Sequence, residues 1–142
     1  MMRKTFLLLM AAVAAATGSA QVPAAPTSMS LAPAPVTAPT DWATMPQLPW
    51  RMEPVITPEL TAYVVDEVRS GRCAAAPGVL VEVPVAVFVR SNGAIGATVP
   101  QAIGCPTVEQ FAAGLVSSFA RNRLRMPVGG WYQTTMSFAW DR

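Results

Sequence analysis

The chain has 142 residues, enough for one domain at most. It contains no histidine, which removes the commonest general base, the commonest metal ligand and every histidine-dependent triad. With 10 Lys and Arg against 8 Asp and Glu, the net charge is +2, too small for a broad basic surface, so no nucleic-acid partner is expected.

The N-terminus reads as a secretory signal over residues 1–20. Arg3 and Lys4 precede an apolar run of eleven residues, Phe6 to Ala16, and the small residues Gly18, Ser19 and Ala20 follow, which suits cleavage after Ala20. The alternative is an uncleaved inner-membrane anchor, but the run is shorter than the roughly 20 apolar residues of a bilayer span. Residues 22–54 hold eight of the fourteen prolines. Proline fixes φ and disfavours helix in the residue before it, so residues 21–56 are expected to be a Pro-rich linker, extended or disordered. Trp42 and Trp50 are unusual in a tether. They read as docking onto the domain, with contact to some other ligand as the alternative.

The folded domain is expected over residues 57–142. Thr57 is placed as an N-cap with Pro58 at the first helical position, and Leu60, Tyr63, Val64 and Val68 recur at helical spacing, so a helix is predicted over 58–70. From Val79 to Arg90, the valines at 81, 83, 85, 87 and 89 alternate strictly and would form the buried face of a strand. Pro84 cannot donate to a ladder, so central pairing is expected to begin after it or to carry a bulge there. Asn92-Gly93 signals a hairpin with a type I′ turn. Ile95, Ala97 and Val99 would continue the buried face, and Pro100 would end the second strand.

A second helix is predicted from Thr107 as N-cap, with Gln110 completing a capping box and the stripe Val108, Phe111, Ala112, Leu115 and Phe119 turned inward, ending near Asn122. The last strand runs from Trp131 to Trp140. Tyr132, Met136, Phe138 and Trp140 face one way together with Thr134, and Trp131, Gln133, Thr135 and Ser137 face the other. The result is a two-layer α+β domain of order α-β-β-α-β, two helices on a small antiparallel sheet. Cys73 and Cys105 are the only cysteines, and in an exported chain they read as a disulfide, with two buried free thiols as the alternative. Closing that loop of about 33 residues would stabilise the domain by roughly 3–4 kcal/mol.

The residue types argue against an enzyme, a metal site or a cofactor. Asp66, Glu67, Glu82, Glu109 and Asp141 are scattered, and the adjacent Asp66 and Glu67 cannot converge on one substrate atom from a helix. Arg121, Arg123 and Arg125 read as a solvated helix end whose charges complement the helix dipole. A protein-binding role remains. A small sheet whose last strand comes late in the chain tends to leave an edge open, and such an edge can take an extended peptide as an added strand. Trp131, Gln133, Thr135 and Ser137 are the candidate site residues, and this row carries no charge to repel an incoming chain.

An ordered set of segments carries a family resemblance. Val85-Ala-Val-Phe-Val-Arg-Ser-Asn-Gly-Ala-Ile95 leads to Gly104-Cys-Pro106, then a helix, then Arg123-Leu-Arg-Met-Pro127 and Gly130-Trp-Tyr-Gln-Thr-Thr-Met-Ser-Phe138. Over roughly residues 58–140 this resembles the C-terminal domain of the TonB energy-transducer family. The TolA C-terminal domain has a similar order of elements. The resemblance implies a periplasmic domain behind a Pro-rich tether, linked to transport across the outer membrane. Its last strand would pair with a short peptide from the N-terminus of an outer-membrane receptor, or with another envelope protein. Two departures stand out. The family's aromatic positions before the proline read Arg-Leu-Arg-Met here, and the histidine of the family's inner-membrane helix has no counterpart. The resemblance therefore implies the fold and the strand pairing, not proton-driven energy transduction by this chain. A structural role, as a homodimer joined through the same edge, is the alternative from a different class.

Overall fold

The computed structural model describes residues 36–73 and 80–141. The expected signal at 1–20, the first part of the linker and the strand residue Val79 lie outside the described residues. Two helices, α1 (Pro58–Arg69) and α2 (Pro106–Ala120), pack with three strands, β1 (Leu80–Val89), β2 (Ile95–Pro100) and β3 (Gly130–Ala139). The strand order is β2-β1-β3, and both pairings are antiparallel. This is the small α+β domain that the alternation of elements predicts.

The central strand β1 is built by its valines. Val83, Val85, Val87 and Val89 are fully buried and Val81 nearly so, all on the side that carries the helices. Beside them, β3 contributes Thr134, Met136 and Phe138 at pairing positions 85, 83 and 81. Contrary to expectation, Pro84 does not interrupt pairing with β3, which is regular from Leu80 to Val89. The Pro84 carbonyl accepts from Gln101 N–H at 2.8 Å, so the backbone of this residue points to the β2 side. The missing N–H therefore faces the place where β2 ends, and no ladder bond to β3 is lost.

The hairpin differs from a type I′ turn. Gly93 N–H donates to Arg90 O, Arg90 N–H donates to Ala94 O, and Gly93 has φ +82° while Asn92 is not in the left-handed region. That is a three-residue loop with glycine at the left-handed position. Asn92 serves through its side chain, accepting from Ala94 N–H at 3.0 Å. The register then shifts between Phe88 and Val89. In consequence Ile95 stays level with Val89 on the helix side, whereas Ala97 and Val99 pair with Phe88 and Ala86 on the other face. The expectation that all three continue the buried face is corrected by this bulge, which inverts the alternation within one residue. Gly96 sits at the bulge because a Cβ there would lie 2.8 Å from the Phe88 ring.

Helix α2 also starts and faces differently from its pattern. Cys105, not Thr107, is the N-cap, and Pro106 takes the first helical position, where its missing N–H costs nothing. Glu109 rather than Gln110 reaches back, accepting from Ile103 N–H at 2.8 Å and Cys105 N–H at 3.0 Å. Buried on this helix are Val108, Ala112, Ala113, Val116 and Ala120, while Phe111, Leu115 and Phe119 flank them half-buried. Small residues let the helix lie closer to the sheet than the stripe of large ones would. Phe111 instead bridges the helices and the sheet, 4.5 Å from Tyr63 and 6.0 Å from Phe138 between ring centres.

The corner where α1 meets α2 is tied twice. Cys73 and Cys105 form a disulfide 32 residues apart in sequence. Beside it, Glu67 accepts from Arg72 in a bidentate pair and from the Thr107 hydroxyl at 2.8 Å. The bonds from Arg72, then from Thr107, hold the Glu67 carboxyl below its ordinary value. The Arg72 side chain is 62 % exposed, so its bare charge is screened and the hydrogen bonds are the larger part.

Reduction of the disulfide is expected to lower the unfolding free energy by about 3–4 kcal/mol, measured by denaturant unfolding with and without reductant. Because the folded pKa of Glu67 is depressed, its contribution is complete above the ordinary glutamate value and is lost as pH falls through the folded pKa. Glu67→Gln should therefore flatten the acid side of the stability profile below about pH 4.3, measured by unfolding at a series of pH values.

Candidate functional site

The outer edge of β3 is where the sequence places a binding site, and the backbone geometry there is specific. Gln133 N–H donates to Pro46 O at 2.9 Å, and Gln133 O accepts from Leu48 N–H at 2.8 Å. Gln133 therefore turns its backbone away from β1. By the two-residue alternation of a strand, Trp131, Thr135 and Ser137 do the same. All four candidate residues thus share one edge and one face, and they differ in what meets them.

Gln133 is occupied by the chain itself. Residues 46–48 lie parallel to β3, bridged at Gln47 and Gln133. Residues 49–51 then pair antiparallel with the stretch after α2, where Arg51 N–H donates to Arg123 O and Arg125 N–H to Pro49 O, both at 2.8 Å. The strap so formed, Met45–Arg51, buries Met45 and Leu48, the latter within the main core. The indole N–H of Trp50 donates to the hydroxyl of buried Thr134 at 3.2 Å, and the Gln133 amide donates to Met45 O at 2.8 Å. Sequence composition assigns this stretch to the linker of residues 21–56. Around Pro46 the backbone is extended, and an extended backbone is also what a sheet edge can hold. Trp50 docks onto the domain; the missed signal is the apolar spacing Met45, Leu48 and Trp50 beside it.

Opposing magnitudes for the strap are similar. Four backbone bonds contribute about 1 kcal/mol each, and burial of Met45 and Leu48 about 2 kcal/mol each. Fixing the backbone of the seven residues costs about 1 kcal/mol or more for each.

The rest of the edge is different. Among the described residues, the outward backbone groups of Thr135 and Ser137 have no backbone partner. Both residues are exposed, and the Ser137 hydroxyl donates to Glu82 at 3.4 Å. A groove of about 440 Å³ opens here, walled by Thr135 and Ser137 on one side and by Trp50, Glu53, Pro54 and Ile56 on the other. Trp131 is half-buried on the face away from the helices, its ring 5.4 Å from that of Phe88. The arginine cluster contributes backbone rather than charge: α2 ends at Ala120, and Arg123 and Arg125 bind the strap through main-chain groups.

Among the described residues no group of His, Cys, Asp or Glu could hold a metal ion, and Arg72 with Glu67 is the one ion pair. A larger groove, about 490 Å³, lies between α1 and the end of β3, bordered by Asp66, Arg69, Trp140 and Asp141. Its charged groups do not converge in any ion pair. No helix of the described residues is long and apolar enough to cross a membrane. No known protein family, curated protein or solved structure matches the chain.

Leu48→Ala truncates a core side chain, a loss of up to about 2–3 kcal/mol that is capped where the strap lets go of the domain. Denaturant unfolding of the full chain measures it, and no change at all would show that Leu48 adds nothing to the fold.

Proposed function

We propose that this is an exported envelope protein that binds a partner by accepting its extended segment as an added strand on β3, in the manner of the TonB-C-like domains that its sequence resembles. One observation carries the reading: Thr135 and Ser137 turn uncharged groups, without a backbone partner among the described residues, into an open groove. Main-chain hydrogen bonds would supply affinity, and the groove wall of Trp50, Pro54 and Ile56 would select side chains. This is a binding protein rather than an enzyme.

The proposed compartment is the periplasm. A disulfide persists in oxidising compartments, and the charged, apolar and small-residue order of residues 1–20 suits export. The partner is a peptide from the N-terminus of an outer-membrane receptor or another envelope protein, which would link the chain to transport across that membrane. The same uncharged edge could pair two copies of the chain, and the solution mass separates that reading.

Thr135→Pro removes the one N–H that the groove presents at that position. It should abolish binding of receptor N-terminal peptides, measured by fluorescence anisotropy, and leave the far-UV spectrum unchanged. Unaltered affinity would count against strand addition at this edge, and a stable dimer with no peptide affinity would favour self-pairing.

A further inference from the structure

We infer that the strap Met45–Arg51 is a built-in occupant of the partner's edge, a self-ligand that an incoming strand must displace from Gln133. This rests on the strand-addition reading of β3 and adds its regulation and the chemistry of the partner.

The ladder itself shows the fork. In parallel pairing through Gln47 and Gln133, the next edge residue, Thr135, would donate to Leu48 O and accept from Trp50 N–H. Those two strap atoms are bonded to each other instead: Trp50 N–H donates to Leu48 O at 2.8 Å in a three-residue turn centred on Pro49. At Pro49 the strap therefore leaves the edge. Gln133 stays covered while Thr135 and Ser137 stay open. A strand seated along Ser137 and Thr135 meets the strap at Gln133 and can lengthen only by lifting it.

The strap is also a dead end for sheet growth. On its outer side the groups of Pro49 and Arg51 already bond Arg125 and Arg123 of this chain, so a second chain finds no regular ladder to extend there. Lifting it is the one way to free Gln133. Between the strap and α1, Met52 and Val55 are 66 % and 76 % exposed, so these two side chains do not hold the strap down. A lifted strap leaves the core site of Leu48 empty and the Thr134 hydroxyl without its Trp50 donor. The displacing partner is therefore an extended segment with an uncharged residue opposite Gln133 and an apolar residue directly after it, as in Gln47-Leu48.

The test uses the full chain and a labelled synthetic peptide of residues 43–52, the strap's own sequence. A tethered competitor acts at a high effective concentration, so the unaltered chain should bind this peptide weakly. Leu48→Ser weakens the tethered copy alone, and should raise affinity for the peptide about tenfold or more. Adding Gln133→Pro should remove that gain. Equal affinity of the unaltered chain and L48S, or binding by neither, overturns the inference. Hydrogen exchange on the unaltered chain decides if L48S does not fold. The amides of Leu48 and Gln133 should exchange together, about 100-fold faster than those of Val83 and Val87 in β1. Protection equal to β1 would show a permanent strand and overturn the inference. Failure of receptor peptides with strap exchange intact sinks only the proposed partner. A receptor peptide that needs Thr135 but binds L48S no better than the unaltered chain sinks only the strap.

Discussion

The ten-residue pairing of β1 with β3 is the constraint on which the rest of this structure depends. It places five valines of β1 opposite Thr134, Met136 and Phe138 and their neighbours, and this row is the floor on which both helices rest. The same pairing settles the opposite side of β3. Once the even-numbered residues turn their backbones to β1, the odd-numbered ones must turn theirs outward. A candidate binding edge is therefore a by-product of the core, and its chemistry follows from which residues fall on the odd positions.

What covers that edge decides its use. A bare strand edge is an aggregation risk, and charge is the usual remedy. Trp131, Gln133, Thr135 and Ser137 carry none. The chain uses its own proline-bearing strap instead, which protects one end of the edge and turns away from the other. The protected end is held by side chains that belong to the core, so protection and folding are coupled. The open end is framed by residues that follow the turn at Pro49, so one short segment shapes both halves.

The sequence was legible where one local signal had no competitor. Alternating valines gave the central strand, and Thr57 with Pro58 gave the start of α1, where Thr57 accepts from Leu60 N–H. It was illegible where the deciding contact was distant or a single residue changed the phase. Gly96 reads as one more small strand residue, yet it moves Ala97 and Val99 to the far face. Thr107 has the spacing of a cap, but its hydroxyl serves Glu67, forty residues earlier in the chain. Helix α2 is apolar over most of its surface, so periodicity could not choose between large and small residues for the buried side. At the site, the alternation along β3 was readable from Trp131 to Ser137. The occupant of Gln133 was not, because proline content describes an extended backbone without saying what it lies against.

The strap also sets the order in which this domain can be completed. Its bonds to β3 span up to 88 residues of sequence, from Met45 to Gln133. The partner of β1's longer edge is likewise β3, the last element among the described residues. Cys73 and Cys105, by contrast, have both emerged well before β3 exists. A polypeptide that leaves its ribosome or crosses a membrane N-terminus first can close its covalent loop early. It must then wait for β3 before its apolar central strand is covered. Long-range closure of this kind is intrinsically slow, so the vulnerable moment falls in the interval before β3 arrives, with the valine row bare and the strap unattached.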